Sequence, residues 1–473
     1  MVFSSYRFLF LFFPVTAGVY HLLRRTGNVV WVKLWLAAAS LVFYGLGQPD
    51  FLLGFAGSIA LNYLILLAMR KSEKRAARIV LMTASAVWNV GLLVYFKYTN
   101  FLLQNINWVL RTDFEPIHVI LPIGISFFTF QILAFTVSYF RGDCDFPTPL
   151  DYVVYVTFFP QLIVGPVVKH EELMPQIEGA GLLRFDPVWI YRGVMLFSIG
   201  CAKKILLANP MIDYATAFYG GDVTAFTSPE AWLAVFCYVF AYYFDFSGYI
   251  DMARGLGCFF GVSLPINFDS PYQARDFGDF WRRWNITISR FFNETIFSNL
   301  FGFGDGRIRL VLATLATFVV SGIWHGAAWH YIIWGVVTGL LVSLSNLRAV
   351  AGRKPLPKAP AIALTFLVGA VIRVLFDATG MTQCFTVYRM LFDPRMWRAG
   401  GSILAQVLQL AQGQWPLLLV LAFGAAICFF APNANGIIER ERFRGRDAVF
   451  SGALLGLSLL FMTKVSTFLY FNF

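Results

Sequence analysis

His325 is the residue in this chain best suited to chemistry, and it lies in the segment SGIWHGA, residues 321–327. The segment sits at the centre of an apolar run from about Leu310 to Leu347. An ionisable side chain inside such a run is costly unless it has a partner or a function. A neutral imidazole can act as a general base, and the alternative is a buried histidine held by a hydrogen bond.

Two acidic side chains, Asp245 and Asp251, also interrupt an apolar run, in YFDFSGYID at 243–251 with Ser247 between them. They are six residues apart and therefore on different faces of a helix. Each needs a hydrogen bond, a charged partner or a proton in apolar surroundings, and Arg254 is a suitable i,i+3 partner for Asp251. Asp245, Ser247 and Asp251 are accordingly either structural ties between helices or the lining of a polar passage.

Other kinds of chemistry find no support in the sequence. His330 is five residues after His325, about 140° further around a helix, so the two imidazoles share one site only if Gly326 breaks the helix. The six cysteines are scattered without a CxxC pair, and no metal site is expected. No spacing suggests a hydrolase triad, a phosphate-binding glycine loop or an HExxH site.

The elements that position these residues are those of a polytopic membrane protein. Of 473 residues, 58% are hydrophobic and only 13% are charged, whereas a soluble domain has about 25% charged residues. Apolar windows of about 20 residues are long enough to cross the bilayer. They begin near Phe3, Val29, Phe51, Ile79, Val119, Tyr152, Trp189, Trp232, Leu310, Trp329, Ala361, Trp415 and Ala448. We predict an all-α fold of 10–13 transmembrane or re-entrant helices in a single domain, 1–473.

The basic residues predict the orientation of the chain in the membrane. Net charge is +11, but the lysines and arginines occupy short loops between apolar spans, which is typical of cytoplasmic loops and not of nucleic-acid binding. The basic loops are Arg24-Arg25, Arg70–Arg78, Arg348–Lys358 and Arg440–Arg446. With these loops inside, both termini are predicted to be periplasmic. The first span, Phe3–Leu23, has no convincing cleavage site and is expected to remain as an anchor.

One polar segment, Asn267–Arg290, differs from the other loops because it combines arginines with Trp281 and Trp284. Such a segment predicts an amphipathic helix in the headgroup zone, with its rings toward the apolar side and its guanidinium groups toward phosphates.

Seven motifs in order along the chain give it a resemblance to a known family. They are MVFSS (1–5), LPIGISFFTFQ (121–131), FFPQLIVGP (158–166), YFDFSGYIDMARGLG (243–257), FWRRWNITISR (280–290), GIWHGAAW (322–329) and FLYFNF (468–473). Together they resemble the membrane-bound O-acyltransferases, and within them the bacterial branch that acts on alginate and similar polysaccharides.

The resemblance implies an O-acyltransferase that moves acetyl groups from cytoplasmic acetyl-CoA toward hydroxyls of an exported polysaccharide, of alginate or cellulose type. It further implies the bacterial inner membrane as location, a periplasmic acetyltransferase as partner, and no permanently bound cofactor. Relatives with the same fold serve two other pathways, peptidoglycan O-acetylation and D-alanylation of teichoic acid. The alternative from a different class is a transporter or channel in which His325, Asp245 and Asp251 form a path.

Site residues also follow from the resemblance. The family's catalytic histidine corresponds to His325, and its second signature position to Asn285, where the bacterial branch usually has histidine. The expected lining of the site consists of Trp284, Ser289, Trp324, Gly326 and Trp329, with the tryptophans at 324 and 329 excluding water. The candidates for the donor entrance are Arg282, Arg283 and Arg290.

Overall fold

The computed structural model describes residues 1–180, 186–302, 304–354, 356–437, 439–462 and 468–469. Within these ranges the chain is α-helical, with one isolated antiparallel bridge between Phe268 and Trp284. The predicted all-α fold is therefore confirmed.

The described part of the chain has nineteen principal helices. They are α1 Phe8–Arg24, α2 Val29–Gly47, α3 Pro49–Lys71, α4 Arg75–Leu110, α5 Ile125–Arg141, α6 Pro149–Thr157, α7 Phe159–Leu162, α8 His170–Ala180, α9 Pro187–Gly220, α10 Ser228–Phe259, α11 Phe277–Arg283, α12 Ile286–Phe292, α13 Arg307–His325, α14 Trp329–Val350, α15 Lys358–Asp377, α16 Met381–Phe392, α17 Pro394–Ala399, α18 Ile403–Phe430 and α19 Gly445–Phe461. In the described part of the chain, nine of them are long and apolar enough to cross a membrane, namely α2, α3, α4, α9, α10, α13, α14, α15 and α18. Two further helices, α1 and α5, are apolar but shorter. The described residues therefore contain eleven apolar helices of either kind. The protein is a multi-pass membrane protein.

Two predicted windows differ in detail from the helices observed. The window at Tyr152 is not one span: α6 ends before Phe158, whose backbone is non-helical, and Pro160 lies in the first turn of α7. Proline lacks the N–H that a continuous helix requires, so it is favoured at a helix start. The window at Trp415 is the second part of α18, which is kinked at Gln414 just before Pro416.

Contacts between Cα atoms divide the described chain into two compact units. The first comprises Met1–Cys201, Tyr249–Pro265 and the described part of Gly436–Phe471. In this unit Lys33 forms ion pairs with Asp151 at 2.5 Å and Glu178 at 2.9 Å. The organisation as a single domain, 1–473, stays a prediction.

The second unit, Ala202–Gly248 and Ile266–Asn435, contains the helices that position His325. Here α13 and α14 are joined by the short turn 326–328 and pack closely against each other. A Cβ atom at Gly322 would collide with the Tyr331 carbonyl, and one at Gly335 with the Phe318 carbonyl. The two backbones can approach this closely because these positions carry no side chain, as in small-residue contacts between membrane helices.

The segment predicted as one amphipathic helix is instead two short helices, α11 and α12, so the prediction of a single helix was wrong. Its location in the headgroup zone stays a prediction. Between them Trp284 is extended and Asn285 is left-handed, with φ 45° and ψ 53°. Asparagine adopts this conformation more readily than most residues, which makes a break here inexpensive. Trp284 is 7% exposed, and its ring points into the unit.

The close approach of α13 and α14 predicts that Gly335→Ala destabilises the protein. The added methyl group would overlap the Phe318 carbonyl, and overpacking of this kind costs about 1–3 kcal/mol. Gly369→Ala in α15 is the matched control, because a Cβ there meets no atom within 4 Å. The midpoint of thermal unfolding in detergent should fall for Gly335→Ala only; equal midpoints for the two variants would contradict the packing argument.

Candidate active site

His325 is the last residue of α13, and its ring is enclosed by aromatic side chains. The ring centroid lies 4.6 Å from Trp324, 5.2 Å from Trp334 and 5.0 Å from Phe376. The residue is 8% exposed. An imidazole in such surroundings is held away from bulk water and has little freedom to rotate.

Gly326 follows His325 and has an extended backbone that any residue can adopt. Glycine is therefore needed here because a side chain would not fit, not because of the backbone conformation. A Cβ atom at Gly326 would overlap the ring of Tyr331. Tyr331 in turn packs against Phe376, at 5.1 Å between ring centroids. The small residue after His325 therefore lets Tyr331 and Phe376 close the aromatic wall around the imidazole.

A large cavity of about 710 Å³ reaches His325. Along α13 its wall runs from Leu310 to His325, which is about 22 Å of helix at ~1.5 Å per residue. Its polar lining includes Asn285, Ser289 and the arginines at 282 and 290. The volume is typical of a ligand site rather than of a packing defect.

Asn285 is placed on this cavity by the break between α11 and α12 and is 4% exposed. Its side-chain oxygen accepts a hydrogen bond from Asn267 Nδ2 at 3.1 Å. The Asn267 oxygen accepts in turn from the backbone N–H and the hydroxyl of Thr287, both at 3.0 Å. The Asn285 amide is thereby oriented through its oxygen.

A second, narrow cavity of about 80 Å³ also reaches His325, and we call it the fissure. Nine aromatic side chains line it, at positions 242, 272, 277, 280, 281, 284, 334, 366 and 376. His325 and Trp281 belong to the walls of both cavities. The imidazole thus faces two spaces of very different size.

Arg373 is the charged side chain in the lining of the fissure. Its Nε donates to Asp377 Oδ1 at 2.8 Å, one turn further along α15. Its guanidinium carbon lies 3.7 Å from the ring centroid of Tyr242 and 4.4 Å from that of Phe376. Since Phe376 also contacts His325, the guanidinium and the imidazole share an aromatic neighbour.

Most of the predicted site residues lie around His325. The large cavity is lined by Asn285, Ser289, Arg282 and Arg290, and the fissure by Trp284. Trp324 packs directly on the imidazole.

Two predicted residues lie elsewhere. Trp329, expected to exclude water, opens α14, is 55% exposed and is in the wall of neither cavity. Trp334, more than one turn later, takes that place against His325. Arg283 also lines neither cavity, because its Nε is turned toward Asp279, at 2.9 Å.

Neither acidic side chain of the YFDFSGYID segment is in the wall of the large cavity or of the fissure. Asp245 pairs with Lys204 at 2.6 Å, and both side chains are almost fully buried. Ser247 is buried and lines neither cavity. Asp251 belongs to the other unit. The buried ion pair with Lys204 favours a structural role for Asp245, in which it holds two helices together.

Two ion pairs were not predicted from the sequence: Arg373 with Asp377, and Lys204 with Asp245. A signal was present, since Arg373 and Asp377 are opposite charges at i,i+4 within or at the end of an apolar run, where charges are rare. Nothing in the sequence indicates the bond between Asn267 and Asn285, which are 18 residues apart. His330, considered for a site, is 2.8 Å from the Leu375 carbonyl through Nδ1 and lines neither cavity.

Comparison with known proteins gives one matching family and several relatives. The profile of the MBOAT, membrane-bound O-acyltransferase family, matches residues 86–363, which include Asn285 and His325. A peptidoglycan O-acetyltransferase of Helicobacter pylori is 32% identical over 100% of this chain and 98% of its own length. A probable alginate O-acetylase of Pseudomonas aeruginosa is 33% identical over 89% of this chain and 81% of its own. A teichoic acid D-alanyltransferase of Bacillus subtilis is 26% identical over 49% of this chain and 60% of its own length.

The left-handed backbone of Asn285 predicts a difference between two substitutions that both remove its amide. Asn285→Gly keeps the conformation without strain, whereas Asn285→Val places a β-branched residue at φ 45°, at a cost of about 1–2 kcal/mol. Thermal unfolding of the purified variants should give a lower midpoint for valine than for glycine. The reverse order would show that this backbone conformation is wrong.

Proposed function

The chain belongs to the membrane-bound O-acyltransferase family and is an O-acyltransferase, and on that premise we propose that it moves acetyl groups from cytoplasmic acetyl-CoA toward hydroxyls of an exported polysaccharide. The polysaccharide is of alginate or cellulose type, and a periplasmic acetyltransferase completes the transfer. The protein acts in the bacterial inner membrane, with both termini periplasmic; residues 470–473 lie outside the described residues. The supporting observation is that His325 and Asn285 line one cavity.

His325 acts as the general base in this proposal. It takes the proton from the acceptor hydroxyl as the oxygen attacks the thioester carbonyl, and a carbon–oxygen bond forms. The tetrahedral intermediate then collapses, the carbon–sulfur bond breaks, and the imidazolium returns the proton to the leaving thiolate. The products are the O-acetyl ester and free coenzyme A, so the imidazole ends in its starting state.

Asn285 assists without exchanging protons, because an amide cannot take up a proton at neutral pH. Its oxygen is engaged by Asn267, so the amide N–H groups are what it offers to a ligand in the large cavity. We assign them to the thioester carbonyl oxygen, which gains negative charge during attack. A buried donor of this kind typically contributes ~3–4 kcal/mol to the barrier reduction.

The aromatic wall of His325 protects the thioester from water. Trp324, Trp334 and Phe376 surround the imidazole, and exclusion of water suppresses hydrolysis of an activated ester.

Coenzyme A carries several phosphates, so its entrance requires positive charge. Arg282 and Arg290 line the large cavity, and the Arg282 side chain is 69% exposed, as a residue at an opening would be. Arg283 is the weaker candidate because it lines neither cavity; its Nε is 2.9 Å from Asp279, whereas Arg282 is 3.8 Å from the same carboxylate oxygen.

The second candidate acceptor is peptidoglycan, favoured by the relative of that name that matches this chain over its full length. D-alanylation of teichoic acid is supported less, because that relative matches about half of the chain. Donor identity separates the pathways, since D-alanine would arrive on a carrier protein instead of coenzyme A. The transporter alternative falls away, because the family and the relatives' names identify an acyltransferase.

The main test of the proposed function is His325→Ala. Because a periplasmic partner completes the transfer, acetylation is measured in a deletion strain that carries each variant, as the O-acetyl content of alginate or peptidoglycan fragments by mass spectrometry. His325→Ala should lower the transfer rate by at least ~100-fold, in line with loss of a general base, and should elute as a folded protein. Normal transfer by this variant would remove His325 from the mechanism.

The donor entrance is tested by Arg282→Gln combined with Arg290→Gln. Loss of two charges at the large cavity should weaken acetyl-CoA binding about 10-fold or more, since hydrogen bonds to charged groups contribute ~1.5–3 kcal/mol each. The comparison variant Arg283→Gln removes one charge outside both cavities and should have a smaller effect. Equilibrium binding at two salt concentrations measures this, and equal losses for both variants would place the entrance elsewhere.

A further inference from the structure

In the proposed function the donor occupies the large cavity. The fissure, which also has His325 in its wall, is then left without a role. Its volume of about 80 Å³ is roughly a ninth of the 710 Å³ of the large cavity. A coenzyme or a whole sugar does not fit that space, whereas a hydroxyl-bearing group does. The fissure therefore suits the reacting end of an acceptor.

Arg373 supplies charged hydrogen-bond donors in this mostly aromatic space, whose lining also includes Thr338 and Thr365. Among the residues that the structure describes, its Nη2 is buried without a hydrogen-bond partner. A buried donor left unpaired is unfavourable, by ~1–3 kcal/mol or more for a charged group. A ligand oxygen beside Nη2 removes that cost.

The surroundings of the guanidinium define what it can hold. The rings of Tyr242 and Phe376 pack against it, with their centroids 3.7 Å and 4.4 Å from the guanidinium carbon, and so limit the directions from which a ligand can approach. Asp377 already balances its positive charge through the ion pair at 2.8 Å. The pair has no net charge, and a neutral oxygen suits it better than a second carboxylate.

We infer that Arg373 binds the acyl acceptor in the fissure, its Nη2 donating a hydrogen bond to a neutral oxygen next to the reacting hydroxyl. The ligand class is a polyhydroxylated alcohol, such as a sugar with vicinal hydroxyls. His325, in the walls of both cavities, then receives the hydroxyl from the fissure and faces the thioester in the large cavity. This inference rests on the proposed function and adds the residue that selects the acceptor.

The discriminating variant is Arg373→Lys, which keeps a cation for Asp377 but removes the guanidinium group. Equilibrium binding of acetyl-CoA to the purified protein in nanodiscs reports on the donor side of the site. Transfer is measured as O-acetyl content of the cell envelope and exported polysaccharide in a deletion strain that carries each variant. Acetyl-CoA affinity should stay within about twofold of wild type, while transfer should fall about 10- to 100-fold, as expected for a lost charged hydrogen bond.

Arg309→Lys is the control for loss of a guanidinium group away from the site. Arg309 pairs with Asp305, four residues earlier, at 3.0 Å; its side chain is 60% exposed and lines neither cavity. Both readouts should match wild type. The double variant Arg373→Gln, Asp377→Asn removes both charges together, so that no charge of the pair is left buried alone. It should repeat the selective loss of transfer.

Parallel loss of acetyl-CoA binding and transfer in Arg373→Lys would overturn the inference, because it would indicate a structural role. Unchanged transfer would overturn it as well. Failure of the proposed function has a different signature, namely wild-type protein that neither binds nor turns over acetyl-CoA, and the inference would then fall with it.

Discussion

The contact between the backbones of α13 and α14 is the constraint on which the site depends. At Gly322 and Gly335 there is no room for a methyl group, and the turn 326–328 forces α14 to begin directly after His325. The imidazole is therefore pressed against Trp334, which comes from the first turns of α14. A wider separation of these helices would leave the ring free to move and open to water. Precise placement here comes from small residues that themselves carry no chemistry.

A second constraint acts on the other polar side chain of the site. Asn285 reaches the large cavity because the chain breaks between α11 and α12 and turns through a left-handed residue. The amide that tolerates this conformation is also the amide that Asn267 orients. The choice of asparagine at position 285 thus explains both the left-handed backbone and the fixed orientation of the side-chain amide. Histidine, which the bacterial branch usually has here, also adopts left-handed backbone more readily than most residues.

The sequence was informative about helices and about His325 for physical reasons. Long apolar runs have few alternatives to membrane helices, and a histidine inside one stands out against its neighbours. The exposed Trp329 could not be distinguished from the buried Trp334, since both lie near His325 along the chain and only packing separates them. The broken segment at Trp284 was misjudged because its composition suits an interfacial helix equally well. Arg373 was overlooked although its charge within an apolar run was visible.

Trp281 belongs to the walls of both the large cavity and the fissure. A ligand that displaced this ring from one side would alter the room available on the other. Binding in the two spaces would then be coupled, and thermodynamic linkage makes such coupling equal in both directions. One shared indole would thereby tie the fit of the alcohol to the fit of the activated ester.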